Sequence, residues 1–92
     1  MKFEWDEKKN NINKIKHGVT FEEASTVFDD TYALIIHDEI NSSSEDERFI
    51  IIGRDIIFRE LYVCHCYRSN DIVRIISARK ATKTEISMYR RK

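Results

Sequence analysis

Four apolar segments separated by short polar connections most constrain how this chain folds. The segments are residues 32–38, 48–53, 61–68 and 72–78. They are rich in β-branched and aromatic side chains, which is typical of strands. The connections hold turn-forming residues such as Asn, Asp and Ser, and their shortness favours antiparallel pairing of consecutive strands. We therefore predict an antiparallel sheet of about four strands.

The residues ahead of this sheet predict a charged helix. Asp6 is a typical N-cap residue, and Gly18 suits the left-handed position after a helix end because it lacks a Cβ. The helix would span residues 7–17, and we expect Ile12 and Ile15 to face inward.

Two capping boxes predict the starts of two further helices. Thr20 and Thr82 are each followed three residues later by a glutamate, Glu23 and Glu85 respectively. In this motif the hydroxyl and the carboxylate satisfy backbone donors at the helix start reciprocally. The first of these helices carries one apolar face, which consists of Phe21, Ala24, Val27 and Phe28.

Together these elements predict one α+β domain over residues 1–92. An antiparallel sheet of about four strands, plus a short N-terminal edge strand at residues 3–5, would pack against two N-terminal helices and one C-terminal helix. No apolar run approaches the ~18–20 residues that span a bilayer, and the acidic N-terminus lacks a signal core. We therefore expect a cytoplasmic protein that does not contact a membrane.

The formal charge of the chain is balanced in total but divided along its length. Sixteen basic residues match sixteen acidic ones, which on its own argues against a nucleic-acid binder. However, residues 1–60 carry 8 basic and 14 acidic side chains, whereas residues 61–92 carry 8 basic and 2 acidic ones. Binding responds to the local field, so the last third either presents a basic patch or interleaves with the acidic part and is neutralised.

The run Cys64-His65-Cys66 is similar to a metal-binding motif, but its position in a strand argues against one. Alternation along a strand places both cysteines on one face and His65 on the other. A zinc ion needs about four converging ligands, and no second Cys/His pair exists. We expect two buried thiols, no metal site and no cofactor.

Two groups are candidates for proton transfer. His17, at a predicted helix end, is either a structural cap that suits the helix dipole or a proton-transfer residue, because histidine titrates near neutrality. Glu47 precedes Arg48 in an acidic turn. That pair is either a solvated charge run or a carboxylate–guanidinium arrangement that moves protons or orients a phosphate.

The junction between the last strand and the last helix predicts a phosphate site. Arg79 and Lys80 lie just before a helix N-terminus, where cations and free backbone donors suit an anion. Arg68, at the end of the neighbouring strand, would join them. Arg74 and Arg79 would lie on opposite faces if the strand is regular throughout. The alternative is ordinary surface charge beside a helix start.

Several segments, taken in order, resemble the BrnT family of bacterial type II toxins. They are Phe3-Glu4-Trp5-Asp6, Lys16-His17-Gly18-Val19, Phe21-Glu22-Glu23-Ala24, Val27-Phe28, Glu47-Arg48, Ile52-Gly53, Arg74-Ile75-Ile76-Ser77-Ala78-Arg79 and Glu85…Tyr89. The resemblance implies a compact ribonuclease related in fold to the RelE toxins. It also implies neutralisation by a DNA-binding antitoxin of the BrnA type, whose complex with the toxin binds operator DNA through the antitoxin and represses its own operon.

The chain departs from the family at one turn. Where the family usually carries a glycine-containing turn ahead of a strand, this chain has Ile56-Ile57-Phe58-Arg59-Glu60. Arg59 is then the match to the family's basic residue, and the bulkier turn predicts a changed hairpin geometry.

The activity implied by the resemblance is metal-independent cleavage of RNA, with the ribose 2′-hydroxyl as nucleophile. This reaction needs a base, an acid and cations for the developing charge on the phosphate. We expect Arg48, Arg68 and Arg79 to clamp the phosphate with support from Lys80, and Arg59 and Arg74 to bind RNA. His17 or Glu47 would transfer protons, while Tyr89 would stack on a base or donate its hydroxyl.

A different class of function is also open from the sequence. The basic C-terminal third would then belong to a non-catalytic binding module that docks an acidic protein or a nucleic acid. In either case the acidic N-terminal half is available to contact a basic segment of an antitoxin.

Overall fold

A computed structural model describes residues 1–91, within which five strands and three helices follow one another along the chain. They are β1 (Lys2–Glu4), α1 (Glu7–His17), α2 (Phe21–Ser25), β2 (Leu34–His37), β3 (Phe49–Arg54), β4 (Glu60–Ser69), β5 (Ile72–Lys80) and α3 (Lys83–Arg90), with a 3₁₀ turn at Thr26–Asp29 after α2. The predicted α+β fold is confirmed. No helix within the described residues is long and apolar enough to cross a membrane.

The five strands form one sheet in the order β1-β5-β4-β3-β2. The four strands from β2 to β5 pair antiparallel with their neighbours in sequence, as the short connections predict. The short strand β1 lies at the sheet edge and pairs parallel to β5, with Lys2 opposite Ile72. The sheet is therefore a meander with one added edge strand.

Each face of the sheet buries its own apolar cluster. The face under α2 and the 3₁₀ turn packs Val19, Phe21, Ala24, Val27, Ile51, Leu61, Val63, Ile75 and Ala78. The face under α3 packs Ile50, Ile52, Cys64 and Tyr89. The apolar face predicted after the first capping box is confirmed, with Phe28 partly buried against the same cluster.

The prediction that Ile12 and Ile15 face inward is wrong. They are 62% and 87% exposed, while Asn10 and Asn13 are buried. The reason is the surface that α1 covers: β1 ends opposite Arg74, so the rest of β5 has an open edge with unpaired backbone groups.

The amide of Asn13 satisfies these edge groups. Its Nδ2 donates to the carbonyl oxygen of Ala78 at 2.7 Å and to that of Val19 at 2.8 Å. Its Oδ1 accepts from the N–H of Ala78 at 3.2 Å. Because α1 lies against a strand edge rather than an apolar face, its inward residues are asparagines.

The helix ends match the predictions made from local motifs. Asp6 caps α1, and Gly18 ends that helix with φ of +70°. Both capping boxes form, with each threonine and glutamate bonded reciprocally to the other's backbone N–H.

The hairpin between β3 and β4 closes without a glycine. Phe58 takes the left-handed backbone conformation in the turn, with φ of +66°. The buried carboxylate of Asp55 holds the turn, since it accepts from the backbone N–H groups of Ile57 and Arg59. It also pairs with the Arg59 guanidinium at 2.6 Å.

Candidate nucleic-acid interface

A cleft of about 720 Å³ lies where β3 begins, β4 ends and β5 begins. Three guanidinium groups line it, those of Arg48, Arg68 and Arg74, and we call it the arginine cleft. Glu47 forms part of its rim together with the rest of the turn at residues 44–47. Cys66 and Ile76 lie among the residues that line it.

Antiparallel pairing explains why these residues meet. Cys66 of β4 pairs with Arg74 of β5, so the end of one strand and the start of the next lie side by side. The same pairing separates Arg68 from Arg79, because Arg79 pairs with Tyr62 at the other end of β4. Six residues of strand span roughly 20 Å. Of the three arginines expected to clamp the phosphate, the structure therefore brings Arg48 and Arg68 together but not Arg79.

An irregularity in β5 changes which face its arginines occupy. Cys64 pairs with Ser77 but His65 pairs with Ile75, which leaves Ile76 as an extra residue. The alternation shifts by one at this bulge. Arg74 and Arg79 consequently lie on the same face of the sheet, contrary to the expectation for a regular strand.

Carboxylates pair with the guanidinium groups of the cleft, whose lining also contains three acidic side chains at residues 45–47. Oε2 of Glu4 accepts a hydrogen bond from Arg74 at 2.9 Å and lies 3.7 Å from Nη1 of Arg68. Nε of Arg48 donates to Asp46 at 3.2 Å. One carboxylate thus serves two of the arginines, which leaves them able to accept an anion.

Two further residues belong to this region that sequence reasoning did not select. Lys9 lines the cleft because α1 runs along the edge of β5, a placement that no local motif signals. His37 places Nε2 3.7 Å from the carboxylate of Glu47 and packs its ring on Phe49. Histidine and glutamate side chains are both groups that can act in proton transfer.

Of the described residues proposed from the sequence, five lie outside the arginine cleft, namely His17, Arg59, Arg79, Lys80 and Tyr89. His17 is the last residue of α1, next to Gly18. The Arg59 guanidinium contacts the carbonyl oxygen of Gly18 and the carboxylates of Glu23 and Asp55. Lys80 is exposed at the end of β5.

The side chain of Arg79 pairs with the last helix and does not extend freely into solvent. Its guanidinium donates to both oxygens of Glu85, at 2.8 and 2.9 Å, and stacks 3.9 Å from the centre of the Tyr62 ring. The hydrogen bonds from Arg79 lower the pKa of Glu85. The same carboxylate accepts from the N–H of Thr82, so donors that the sequence suggested were free at this helix start are already in use.

Tyr89 also fixes α3 to the rest of the fold. Its hydroxyl donates to Asp30 at 2.7 Å, and the side chain is buried. Burial together with the Asp30 carboxylate raises the pKa of Tyr89 to about 12. Tyr89 lines a second cleft, beside Asp30, Tyr32, Ile56 and Phe58.

The cysteines behave as their strand position predicts. Both are buried free thiols, and burial raises the pKa of Cys64 to about 11. His65 lies on the opposite face, where its ring packs against Phe28 and Tyr67. Within residues 1–91, no group of three or more His, Cys, Asp or Glu side chains is arranged to hold a metal ion.

Comparison with known proteins relates both the sequence and the fold to one family. Residues 5–85 match the family model described as "Ribonuclease toxin, BrnT, of type II toxin-antitoxin system". The fold is similar to the crystal structure of the Brucella abortus ribonuclease toxin BrnT, with a TM-score of 0.67 and 24% sequence identity over 90% of this chain and 99% of that one. No curated protein matches the chain. Because the family model covers most of its length, this chain belongs to the BrnT family of ribonuclease toxins of type II toxin–antitoxin systems.

Proposed function

We propose that this chain cleaves RNA in the arginine cleft by a metal-independent reaction and thereby inhibits translation and growth. The observation that carries this proposal is the convergence of Arg48, Arg68 and Arg74 on one cleft whose rim includes Glu47. A volume of about 720 Å³ is in the range of small-ligand sites and so offers room for a nucleotide. The partly shared pairing of Arg68 and Arg74 with Glu4 supports phosphate binding there.

The arginines bind phosphate groups and stabilise the transition state. A planar guanidinium donates two parallel hydrogen bonds to phosphate oxygens. As the 2′-hydroxyl attacks, the phosphorus centre gains negative charge, and fixed donors aimed at that charge lower the barrier. Arg79, which is paired with Glu85, holds α3 in place, and the exposed Lys80 adds electrostatic support for an RNA strand that extends beyond the cleft.

Proton transfer falls to the pair at the rim of the cleft. Glu47 accepts the proton of the 2′-hydroxyl, and His37, 3.7 Å away, is the second proton-transfer group. The oxygen attacks phosphorus, the bond to the 5′-oxygen breaks, and that oxygen gains a proton. The products are a 2′,3′-cyclic phosphate and a 5′-hydroxyl. The sequence suggested roles in RNA binding or catalysis for three further residues, His17, Arg59 and Tyr89. In this scheme they do not contact RNA and contribute only to the structure of the fold.

Replacement of Arg68 tests the position of the active site. We expect Arg68→Ala to lower the cleavage rate of an RNA oligonucleotide by ~10²-fold, the usual effect of losing one donor to a developing oxyanion. Arg91→Ala removes the same charge from an exposed residue at the end of α3 and should leave the rate unchanged. Equal rates for both variants, at unchanged melting temperature, would place the chemistry elsewhere.

Expression experiments test the biological role. Expression of the chain alone should arrest growth, and co-expression of the protein encoded beside it should relieve the arrest if that protein is a BrnA-type antitoxin. The purified pair should bind its operator DNA through the antitoxin. A non-catalytic binding module would instead leave RNA intact and its ends unchanged under conditions where it still binds.

A further inference from the structure

The tip of the β3–β4 hairpin exposes an unusual amount of apolar surface. Ile56, Ile57 and Phe58 are 71%, 58% and 79% exposed, and Tyr32 beside them is 75% exposed. We call these four residues the hairpin-tip patch. Aromatic side chains offer ~150–250 Å² each, so the patch presents roughly 400–500 Å² of apolar surface, within the range of the largest patch on a typical monomer, which is often functional.

The backbone at this tip is strained at one residue of the patch. Phe58 holds φ of +66°, a conformation that glycine adopts without cost and that a side chain disfavours. The ring of Phe58 contributes little to the core because it is mostly exposed. The left-handed backbone closes the turn, but the exposure of the Phe58 ring does not help the chain to fold, so the exposed ring points to a contact made with another molecule.

One exposed carboxylate, that of Asp29, lies beside the patch. A cleft of about 460 Å³ separates Tyr32 from the hairpin tip, and its lining also includes Asp30 and the buried Asp55, which is paired with Arg59. The one guanidinium in that lining belongs to Arg54, which is 3.5 Å from the carboxylate of Glu60. Asp29 is exposed to solvent. An apolar cleft with an acidic rim fits a ligand that carries a large apolar side chain beside a positive charge.

We propose that the hairpin-tip patch binds the antitoxin through a segment with a large apolar side chain next to a Lys or Arg. The apolar side chain enters the cleft beside Tyr32, and the basic side chain pairs with Asp29. This inference rests on the proposed function, since it assumes an antitoxin partner. It assigns to the antitoxin a surface other than the arginine cleft.

The charges argue against other occupants. A second copy of the chain would bring the acidic rims together, and like charges across an interface oppose association. RNA is disfavoured because the rim would repel its phosphates.

The patch and the arginine cleft lie at opposite ends of β3. Arg48 precedes that strand, and Ile56 follows it. The six residues of β3 span roughly 20 Å, so changes at the tip leave the arginines in place. RNA cleavage and antitoxin binding are therefore separable by mutation.

The test is calorimetric titration of the chain with the purified protein encoded beside it. We expect the double variant Ile56→Ser/Phe58→Ser to raise the Kd by ~100-fold or more, as loss of two central apolar contacts does. RNA cleavage should be unchanged. Ile15→Ser is the matched control, since Ile15 is equally exposed on α1, and it should leave the Kd unaltered. Phe58→Gly, which relieves the backbone strain, gives a variant that folds at least as stably and still loses affinity.

The outcomes separate this inference from the proposed function. An unaltered Kd for the tip variants, or no binding by the wild-type chain, overturns the inference even if RNA is cleaved. Self-association that the tip variants abolish also overturns it in favour of a second copy. Absence of RNA cleavage by the wild-type chain, with tip-dependent antitoxin binding intact, would instead refute the catalytic proposal alone.

Discussion

His65 is the residue whose chemistry is most altered by the fold. It is fully buried between Phe28 and Tyr67, with ring centroids 4.9 and 5.3 Å from its own. Its Nδ1 lies 3.3 Å from the carbonyl oxygen of Val63, and its Nε2 lies 3.3 Å from the Tyr67 hydroxyl. Burial lowers the pKa of His65 to about 4, so the ring is neutral at physiological pH.

This buried histidine should make the protein less stable in mild acid. The unfolded chain binds a proton at His65 below about pH 6.5, whereas the folded chain does so only near the lowered pKa of about 4. The free energy of unfolding therefore falls as the pH is lowered across this window, by about 3 kcal/mol in total. We expect His65→Phe to remove most of that fall, as measured by urea unfolding at several pH values.

In the upper part of this pH window, the change in the free energy of unfolding comes from His65 and not from the carboxylates. Hydrogen bonds from Arg79 lower the pKa of Glu85 below its usual 4.5, so its contribution is lost only at more acidic pH. An unfolding free energy that falls equally in wild type and His65→Phe between pH 6.5 and pH 5 would rule this explanation out.

At the scale of elements, α1 shows where sequence reasoning reaches its limit. Its ends were predictable because Asp6 and Gly18 act within one turn of the chain. Its inward face was not, because Asn13 bonds Ala78, which lies 65 residues away. Apolar spacing predicts burial only where a helix meets an apolar surface, and α1 meets a strand edge.

The same distinction separates the parts of the candidate site. Glu47 and Arg48 are neighbours in sequence, so their presence in one region was predictable, although Arg48 pairs with Asp46 and Glu47 lies beside His37. The meeting of Arg68 with Arg74 rather than Arg79 depends on the register of β4 and β5, which residue types alone do not fix. The bulge at Ile76, which puts Arg74 and Arg79 on one face, has no local signal in the sequence.

Removal of the Asn13 side chain should destabilise the fold through the strand edge. Asn13→Ala leaves the N–H and the carbonyl of Ala78 and the carbonyl of Val19 without their partner. Unsatisfied buried groups cost about 1–3 kcal/mol each, and partial hydration reduces the sum, so we expect a loss of about 3 kcal/mol in denaturant unfolding. Ile15→Ser, on the opposite side of α1, should change stability by less than ~0.5 kcal/mol. If Asn13→Ala left the free energy of unfolding almost unchanged, the hydrogen bonds from α1 to this strand edge would not stabilise the fold.

At the scale of the whole molecule, the acidic and basic parts of the chain interleave in space. Arg68 and Arg74 lie against Glu4, and Arg90 lies 3.3 Å from Glu60. These contacts join the basic C-terminal third to acidic residues of the first 60. The fold therefore neutralises part of the basic third, and acidic side chains also lie beside the arginines in the arginine cleft.

This distribution predicts a shallow dependence of RNA binding on salt. If the three cleft arginines provide most phosphate contacts, the slope of log K against log salt should be about −2, because each contact to a single strand contributes ~0.7. A 2′-O-methyl RNA, which lacks the nucleophile, allows this binding measurement without cleavage. Arg68→Ala should reduce the slope by about 0.7, whereas Arg91→Ala should leave it unchanged. A slope of about −5 that both substitutions reduce equally would instead show that RNA binds across the whole basic third. In that case Arg91, which is remote from the cleft, would contact phosphates as often as Arg68 does.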